Sequence, residues 1–331
     1  MRDIPIHPGF GNYARCSCDL FYTEQDCSVE APGEKQVFVN CSRAAGNGTS
    51  IENATSSIQH AISVASNEAT IYIASGTCEY SGVRLEGRTL TIRPYEGGKV
   101  VFNGSGAVES IMLVGSNSKV SVHDITFSGA TSQTGAAIHV QGSELIVHNC
   151  SFEDNTASGT SGGAITLTGW SSRALFYSTL FSNNTALIGG GAIDIKQMSE
   201  ASFENCTFVG NSATQGGAIH LEQAGSFKVT DSTFDDNVAS SGGAIAFTAS
   251  ATANNTIQNT TFSRNRATDD NDAALGGGAI LLLDTISRSL TTINNCTFVT
   301  NVAFGFGGAV RASTVASHTL TFDNNIFTDN R

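Results

Sequence analysis

Two residues with acid–base side chains occupy equivalent places in neighbouring copies of a repeated Gly-Gly-Ala-Ile motif. Asp194 follows one copy and His220 follows the next. A carboxylate beside an imidazole can support proton transfer, and enzymes that cleave polysaccharides need an acid, a base and a group that neutralises charge. Later copies hold Ala246 and Leu281 at this place, which leaves the pair without a third partner. We therefore interpret Asp194 and His220 as solvated surface residues and predict no catalytic residues.

An acidic cluster, Asp-Asp-Asn-Asp at 269–272, lies in the longest interval between repeats. Carboxylate and amide oxygens are suitable calcium ligands, but the cluster lacks the spacing of a calcium-binding loop. A solvated acidic loop is the favoured interpretation. Asp235 and Asp236 fall at variable positions of a repeat and are expected to be exposed. We predict no bound metal and no cofactor.

The elements that would carry these residues are specified by two repeated motifs between 120 and 331. Gly-Gly-Ala-Ile occurs at 162–165, 190–193, 216–219, 242–245 and 277–280, with looser copies at 135–138 and 307–310. Phe-x-x-Asn-x-Ala begins at Phe152, Phe181, Phe208, Phe234, Phe262 and Phe298, and related copies begin at Phe127 and Phe327. Successive Phe residues lie 25 to 36 positions apart, which is too short for a strand–helix–strand crossover but suits one coil of three strands. The repeats predict an all-β fold, a right-handed single-stranded parallel β-helix.

In such a solenoid, like residues superpose because parallel strands stack about 4.8 Å apart. The Phe residues are expected to form one inward column, and the Asn residues of the motif an internal ladder of hydrogen bonds. A second inward column is predicted five residues before each Phe, at Val122, Val147, Phe176, Phe203, Val229, Ile257, Ile293 and Phe322. The glycine pairs would supply a bend with positive φ. The residue after each Gly-Gly-Ala-Ile is expected to face outward, because its chemical type varies.

The region before the repeats divides into two parts. Residues 55–119 contain a predicted capping helix at 57–66, with apolar residues at 58, 61, 62 and 65, followed by the first coils of the β-helix. Residues 1–54 show no such pattern and are predicted to be irregular and stapled by disulfides. Three regions follow: 1–54, 55–119 and the repeat β-helix at 120–331.

The eight cysteines form two groups. Cys150, Cys206 and Cys296 each stand two residues before a repeated Phe. Cys150 and Cys206 are two coils apart, about 10 Å, whereas a disulfide needs Cα atoms within about 7 Å, so these three are predicted to be buried free thiols. The other five are disulfide candidates whose pairing the sequence leaves open, with two bridges and one unpaired residue expected: Cys16, Cys18, Cys27, Cys41 and Cys78.

Ten Asn-x-Ser/Thr sequons predict N-linked glycans: Asn40, Asn47, Asn53, Asn103, Asn149, Asn183, Asn205, Asn254, Asn259 and Asn295. Four of them, at 149, 205, 259 and 295, stand three residues before a repeated Phe and would project from one edge of the helix. The alternative is that unoccupied sequons arise in a fold rich in Asn and Thr. The cysteines and sequons together favour a secreted, extracellular or cell-surface protein.

Charge and hydropathy exclude two classes of partner. The net charge of −12 would repel nucleic acid and anionic lipid headgroups. No apolar stretch reaches about 18 residues, so no direct membrane span is predicted. Met1 is not followed by the apolar run of a secretory leader, which suggests a removed leader or part of a longer chain.

The alternating Gly-Gly-Ala-Ile and Phe-x-x-Asn motifs resemble the repeats of the chlamydial polymorphic outer membrane proteins. The predicted helix and the following Thr-Ile-Tyr-Ile-Ala at 70–74 look like the first part of pectate-lyase-like right-handed parallel β-helices. The first resemblance implies adhesion at a cell surface. It covers about residues 120–331 and is specific for fold more than for activity.

Three functions remain open at this point. We expect an extracellular structural glycoprotein, such as a subunit of a surface filament, appendage or glycan-coated matrix, and not an enzyme. The alternatives are a cell-surface adhesin or glycan-binding β-helix and, less favoured, a polysaccharide lyase or hydrolase. Self-association, or stacking on another β-helix subunit, is expected because the last strands would offer an unpaired edge.

Overall fold

The computed structural model describes residues 34–43, 46–106, 108–250, 254–269, 276–284, 290–314 and 319–331. Within these ranges the chain winds into an all-β parallel solenoid of about ten coils. One short α-helix, α1 (Ile58–Val64), and one 3-10 turn (Tyr95–Gly97) accompany the described strands. The predicted fold class is therefore confirmed.

The strands stack into four parallel sheets, numbered in the order in which each coil visits them. Sheet 1 contains Glu34–Val39, Ala65–Ile73, Thr89–Pro94, Lys119–His123, Glu144–His148, Arg173–Tyr177, Glu200–Glu204, Phe227–Thr230, Asn254–Gln258, Leu290–Asn294 and Thr319–Asp323. Sheet 2 contains Gly76–Glu79, Val100–Asn103, Ile125–Ser128, Ser151–Glu153, Leu180–Ser182, Thr207–Val209, Thr233–Asp235, Thr261–Ser263, Thr297–Val299 and Ile326–Thr328.

Sheets 3 and 4 complete the coil. Sheet 3 contains Thr131–Thr134, Thr156–Ser161, Thr185–Ala186, Ser212–Gln215, Val238–Ser241, Arg266–Ala267 and Val302–Ala303. Sheet 4 contains Val83–Glu86, Met112–Gly115, Ile138–Gln141, Ile165–Thr168, Ile193–Lys196, Ile219–Ala224, Ile245–Ser250, Ile280–Asp284 and Val310–Thr314. The prediction of three strands per coil is wrong from Lys119 onward, because sheet 3 inserts a fourth strand that is as short as two residues.

The repeated Phe residues form the predicted inward column. From Phe127 to Phe298 each is fully buried, and neighbouring rings stack with centroids 4.5–5.0 Å apart. The second predicted column is also buried from Val122 to Ile293. Both columns end at the last coil, where Phe322 and Phe327 are exposed. The predicted stacking of another subunit on this edge stays a prediction.

The Asn residues of the motif form the predicted ladder. The Oδ1 atom of Asn211 accepts hydrogen bonds from the backbone N–H and the Nδ2 group of Asn184, both at 3.0 Å. Asn184 Nδ2 also donates to the carbonyl of Phe152 at 2.9 Å. The same contacts recur from Asn155 to Asn330. The ladder satisfies polar groups that would otherwise be buried without a partner, at about 1–3 kcal/mol each.

The glycine pairs make the bend that leads into sheet 4. Gly190 has φ +63°, a left-handed conformation that disfavours residues with a side chain. A Cβ atom added at Gly191 would lie 2.1 Å from the carbonyl oxygen of Gly217 in the next coil. The second glycine is therefore required for the close approach of successive coils.

The N-terminal part of the described chain closes one end of the solenoid. Helix α1 begins after Ser57, whose side chain accepts a hydrogen bond from the His60 N–H, and it packs on the strands Glu34–Val39, Ala65–Ile73 and Val83–Glu86. Residues 1–54 were predicted to be irregular, but Glu34–Val39 forms the first strand of sheet 1. A disulfide joins Cys41 to Cys78, with Cα atoms 5.4 Å apart. Cys16, Cys18 and Cys27 lie outside the described residues.

Candidate functional site

Asp194 and His220 lie side by side on neighbouring strands of sheet 4. The register pairs Asp194 with His220, as the repeats predict. His220 Nδ1 lies 2.6 Å from Asp194 Oδ1, which is a short hydrogen bond. A carboxylate can only accept, so Nδ1 carries the proton and donates to Asp194.

The prediction that this pair is solvated is wrong. Asp194 is 0% exposed and His220 is 3% exposed. The segment that leads from sheet 3 into sheet 4 crosses the outer face of sheet 4 and covers the column. Gly189 in this segment lies so close to the imidazole that an added Cβ atom would be 2.3 Å from His220 Nδ1.

Three other members of the column, Thr166, Ala246 and Leu281, are also buried, whereas His139 and Arg311 are half-buried. The varied residue types at this place indicated an exposed surface, but the variation is tolerated because each polar member has a hydrogen-bond partner. Thr166, for example, donates its hydroxyl to the carbonyl of Ser161 at 3.0 Å.

A lysine supplies the counter-charge for the buried carboxylate. Lys196 Nζ lies 3.0 Å from Asp194 Oδ2, in an ion pair whose geometry is not that of an aligned hydrogen bond. The ammonium group also contacts Glu222 at 3.4 Å and the Ser161 hydroxyl at 2.9 Å. Burial acts to lower the pKa of Lys196, but the attraction of Asp194 and Glu222 outweighs it, so the net pKa is raised. Lys196 is therefore charged at neutral pH.

A threonine that the sequence did not reveal completes the group. Thr248 Oγ1 lies 2.8 Å from His220 Nε2, and Thr248 is half-buried. Thr248 sits at a register shift: Leu221 pairs with Phe247, whereas Glu222 pairs with Ala249. The shift comes after Phe247, so Thr248 keeps the same face as Ala246, the register partner of His220. In the tautomer with Nδ1 protonated, Nε2 can accept a hydrogen bond from the Thr248 hydroxyl, which also has the Leu221 carbonyl within 3.4 Å.

A second contact between a histidine and a threonine of the next coil lies on sheet 4, but no carboxylate accompanies it. His139 Nε2 lies 3.1 Å from Thr168 Oγ1, and Thr168 is on the coil after His139, as Thr248 is on the coil after His220. On the preceding coil His139 pairs with Leu113, where His220 pairs with Asp194. Burial lowers the pKa of His139. Comparison of the His139–Thr168 pair with the His220–Thr248 pair therefore isolates the effect of the buried Asp194 carboxylate.

The chain Asp194–His220–Thr248 has the arrangement of an activated hydroxyl. A nucleophile and its base lie within hydrogen-bond reach, and a third group holds the base in one orientation and tautomer. Asp194 and His220 are shielded from water, which strengthens their interaction, whereas Thr248 is only half-buried. The arrangement can transfer a proton from Thr248 to His220 during attack on a carbonyl group.

The other predicted site residues are distributed over the solenoid. Eight sequon asparagines are exposed, and Asn40 and Asn103 are half-buried. Those at 149, 205, 259 and 295 share the turn between sheets 1 and 2, with φ of +50° to +55°. Whether any sequon carries a glycan stays a prediction. Of the acidic cluster at 269–272, only Asp269 falls within the described residues.

The three cysteines predicted to be buried and free are confirmed as such: Cys150, Cys206 and Cys296. Burial raises the pKa of Cys150 to about 12 and that of Cys206 to about 11. None of the described helices is long and apolar enough to cross a membrane.

The chain belongs to the right-handed β-helix family. The family model for a right-handed β-helix region matches residues 90–262, which is more than half of the sequence. This supports the predicted relation to pectate-lyase-like β-helices, whereas the relation to the chlamydial repeats is not shown. The sequence has no detectable match among curated proteins.

Several solved structures are similar to this chain at low sequence identity. The PL6 family alginate lyase AlyGC is 12% identical, with a TM-score of 0.58 over 93% of this chain, which spans 42% of the lyase chain. The pectin methylesterase from Aspergillus niger, in deglycosylated form, is 13% identical and has a TM-score of 0.44; the match covers 91% of this chain and 89% of the esterase chain. The pectate lyase Pel9A is 14% identical and has a TM-score of 0.45; the match covers 90% of this chain and 78% of the lyase chain.

The prediction that the chain is not an enzyme is wrong. The solved structure that it matches with a TM-score of 0.58 is described as an alginate lyase. The prediction depended on Asp194 and His220 being isolated and solvated, and they are instead buried, paired and linked to a hydroxyl. The comparisons do not show a filament subunit.

Proposed function

We propose that this protein is a hydrolase that cleaves an ester carried by a carbohydrate polymer, with Thr248 as nucleophile, His220 as general base and Asp194 as the residue that orients His220. The observation that carries the proposal is the unbroken hydrogen-bond chain from Asp194 through His220 to Thr248. An acyl-transfer reaction is the chemistry for which this order of groups is suited.

The reaction would proceed in two balanced steps. Thr248 Oγ1 attacks the ester carbonyl while its proton moves to His220 Nε2, and the alcohol leaves with that proton, which gives an acyl-threonine. Water then attacks the acyl group, with His220 again taking and returning a proton, so that the acid is released and Thr248 is restored. Throughout, Asp194 stabilises the imidazolium form of His220.

Lys196 supports the site through charge. Burial of an ionised carboxylate is costly unless an opposite charge lies close to it. For Asp194 this charge is the Lys196 ammonium group at 3.0 Å. Because its own pKa is raised, Lys196 is a poor proton acceptor. This favours His220 as the base.

A polymeric carbohydrate is the substrate class that the fold supports best. Thr248 is half-buried on sheet 4, whose parallel strands stack coil upon coil, so a bound polymer can extend along several coils. Among the three solved structures described above, the one with a TM-score above 0.5 is described as an alginate lyase. The disulfide between Cys41 and Cys78 supports a location outside the reducing cytosol, where such polymers occur.

The test measures release of acetate or methanol from acetylated and methyl-esterified polysaccharides. Thr248→Ala should abolish release, and Thr248→Ser should retain part of it, because serine keeps the hydroxyl. The matched control is Thr168→Ala, which removes the equivalent hydroxyl beside His139 and should leave activity unchanged. Full activity of Thr248→Ala would contradict the proposal. Appearance of unsaturated sugar products would instead identify a lyase.

A further inference from the structure

Thr248 lies at a boundary between charged and apolar residues on the outer face of sheet 4. Side chains alternate along a strand, so each of these strands has a first and a second outward position. On the two coils before Thr248, the second position holds Lys196 and Glu222, whose charged atoms lie 3.4 Å apart. On the coil after Thr248 it holds Leu283. The hydroxyl therefore has charged neighbours on one side and an apolar neighbour on the other.

The register of sheet 4 places Leu283 beside Thr248. Phe247 pairs with Leu282, and both are buried. The next residue on each strand, Thr248 and Leu283, therefore faces outward, and neighbouring strands lie about 4.8 Å apart. Leu283 is half-buried, whereas Leu281, at the first outward position of the same strand, is fully buried. Of these two leucines, Leu283 is the one that a ligand at Thr248 can contact.

The second pair of this kind, His139 and Thr168, has no such apolar neighbour. Leu167 pairs with Ile195, so the residue beside Thr168 on the next coil is Lys196. Of the two histidine–threonine pairs on sheet 4, the one that is linked to a buried carboxylate is thus also the one with a leucine beside its hydroxyl. The apolar neighbour and the activated hydroxyl occur together.

We propose that Thr248 takes its ester in one orientation, with an apolar acyl chain on Leu283 and a sugar, as the alcohol, toward Lys196 and Glu222. This inference rests on the proposed esterase function and assigns the two halves of its substrate. Sugar hydroxyls can form hydrogen bonds with an ammonium group and a carboxylate, whereas an acyl chain gains by covering apolar surface. An acetyl group is shorter than the spacing of about 4.8 Å between coils, so an acyl chain of about four to six carbons is needed to cover Leu283.

A second apolar residue near the site provides a matched control. Ile188 is 45% exposed and directly precedes Gly189, where an added Cβ atom would lie 2.3 Å from His220 Nδ1. That nitrogen bonds Asp194, whereas Nε2 faces Thr248. Ile188 is therefore an exposed apolar residue close to the imidazole but on the side away from the nucleophile.

The test compares kcat/KM for the acetyl and hexanoyl esters of methyl glucoside. The hexanoyl ester should be cleaved at least about tenfold more efficiently, because its additional methylene groups contact Leu283. Leu283→Ser should reduce this preference to less than about threefold, and Ile188→Ser should leave it unchanged. The methyl ester of a galacturonate glycoside, in which the sugar lies on the acyl side, should be a poor substrate. Melting temperatures would establish that each variant is folded.

The outcomes separate this inference from the esterase proposal. Equal efficiency with the two esters, or loss of the preference in Ile188→Ser but not in Leu283→Ser, would overturn the orientation and leave the esterase function in place. Hydrolysis that persists in Thr248→Ala would contradict the esterase function instead. The orientation can also be measured without turnover, from the NMR signals of the Leu283 methyl groups in Thr248→Ala protein. Addition of the hexanoyl ester should shift these signals, and unshifted signals would overturn the inference.

Discussion

Thr248 Oγ1 lies 2.8 Å from His220 Nε2, because Thr248 stands two positions after Ala246, the residue that pairs with His220. Alternation along the strand puts Ala246 and Thr248 on the same face, as it does Thr166 and Thr168 beside His139. The hydroxyl thus reaches an imidazole whose other nitrogen is already bonded to Asp194. The relation between these three side chains depends on the local register of sheet 4 as much as on the residue types.

Asp194→Asn is expected to lower the rate of ester hydrolysis by about 10⁴-fold, because an amide can donate to Nδ1 and favour the wrong tautomer of His220. The measurement is kcat on an esterified polymer, with a melting curve to confirm folding. Glu222→Gln is the control, since Glu222 pairs with Lys196 but does not contact His220. A similar loss in both variants would indicate a general effect of charge on stability.

Asn211→Ala is expected to lower the free energy of unfolding by at least about 1–3 kcal/mol. The change removes the acceptor for Asn184 and the donor to Phe181 and Asn237, and so leaves buried polar groups without partners. Urea denaturation followed by circular dichroism would measure the loss. The control is Asn254→Ala, an exposed asparagine on a strand of sheet 1, which should cost much less. Equal effects would contradict the importance of the ladder.

The thiols of Cys150, Cys206 and Cys296 are expected to resist alkylation in the folded protein. Burial raises their pKa to about 12, about 11 and about 11, so the reactive thiolate is scarce at neutral pH, and the sulfur atoms are shielded. Mass spectrometry after iodoacetamide treatment would count modified residues with and without denaturant. Rapid labelling without denaturant would show that the solenoid opens locally.

His139 is expected to make the fold sensitive to acid. Its pKa in the folded protein is lowered from 6.5 by burial, so below pH 6.5 the unfolded chain takes up a proton before the folded one does. The stabilisation is therefore complete above pH 6.5 and is lost as the pH falls through the lowered folded value. His139→Gln should flatten this part of the stability curve, measured as melting temperature against pH. An unchanged curve would assign the acid sensitivity to other groups.

The repeats allowed the inner columns and the Asn ladder to be predicted residue by residue. Identical residues at a fixed place in each coil, such as Phe181 and Phe208, can only superpose if the coils stack in register. The burial of Asp194 could not be predicted in this way, because it depends on the path of the segment containing Gly189. Thr248 was missed because it lies outside both repeated motifs, and the fourth strand was missed because Thr185–Ala186 is too short to show alternation.

The contact between a histidine and a threonine on the next coil needs no irregularity of the sheet, as His139 and Thr168 show. A single substitution at an outward position of sheet 4 would therefore add or remove a hydroxyl beside an imidazole, while the hydrophobic columns keep their order. Closely similar solenoids are expected to differ in reactivity through such single substitutions, with no change in the architecture that carries them.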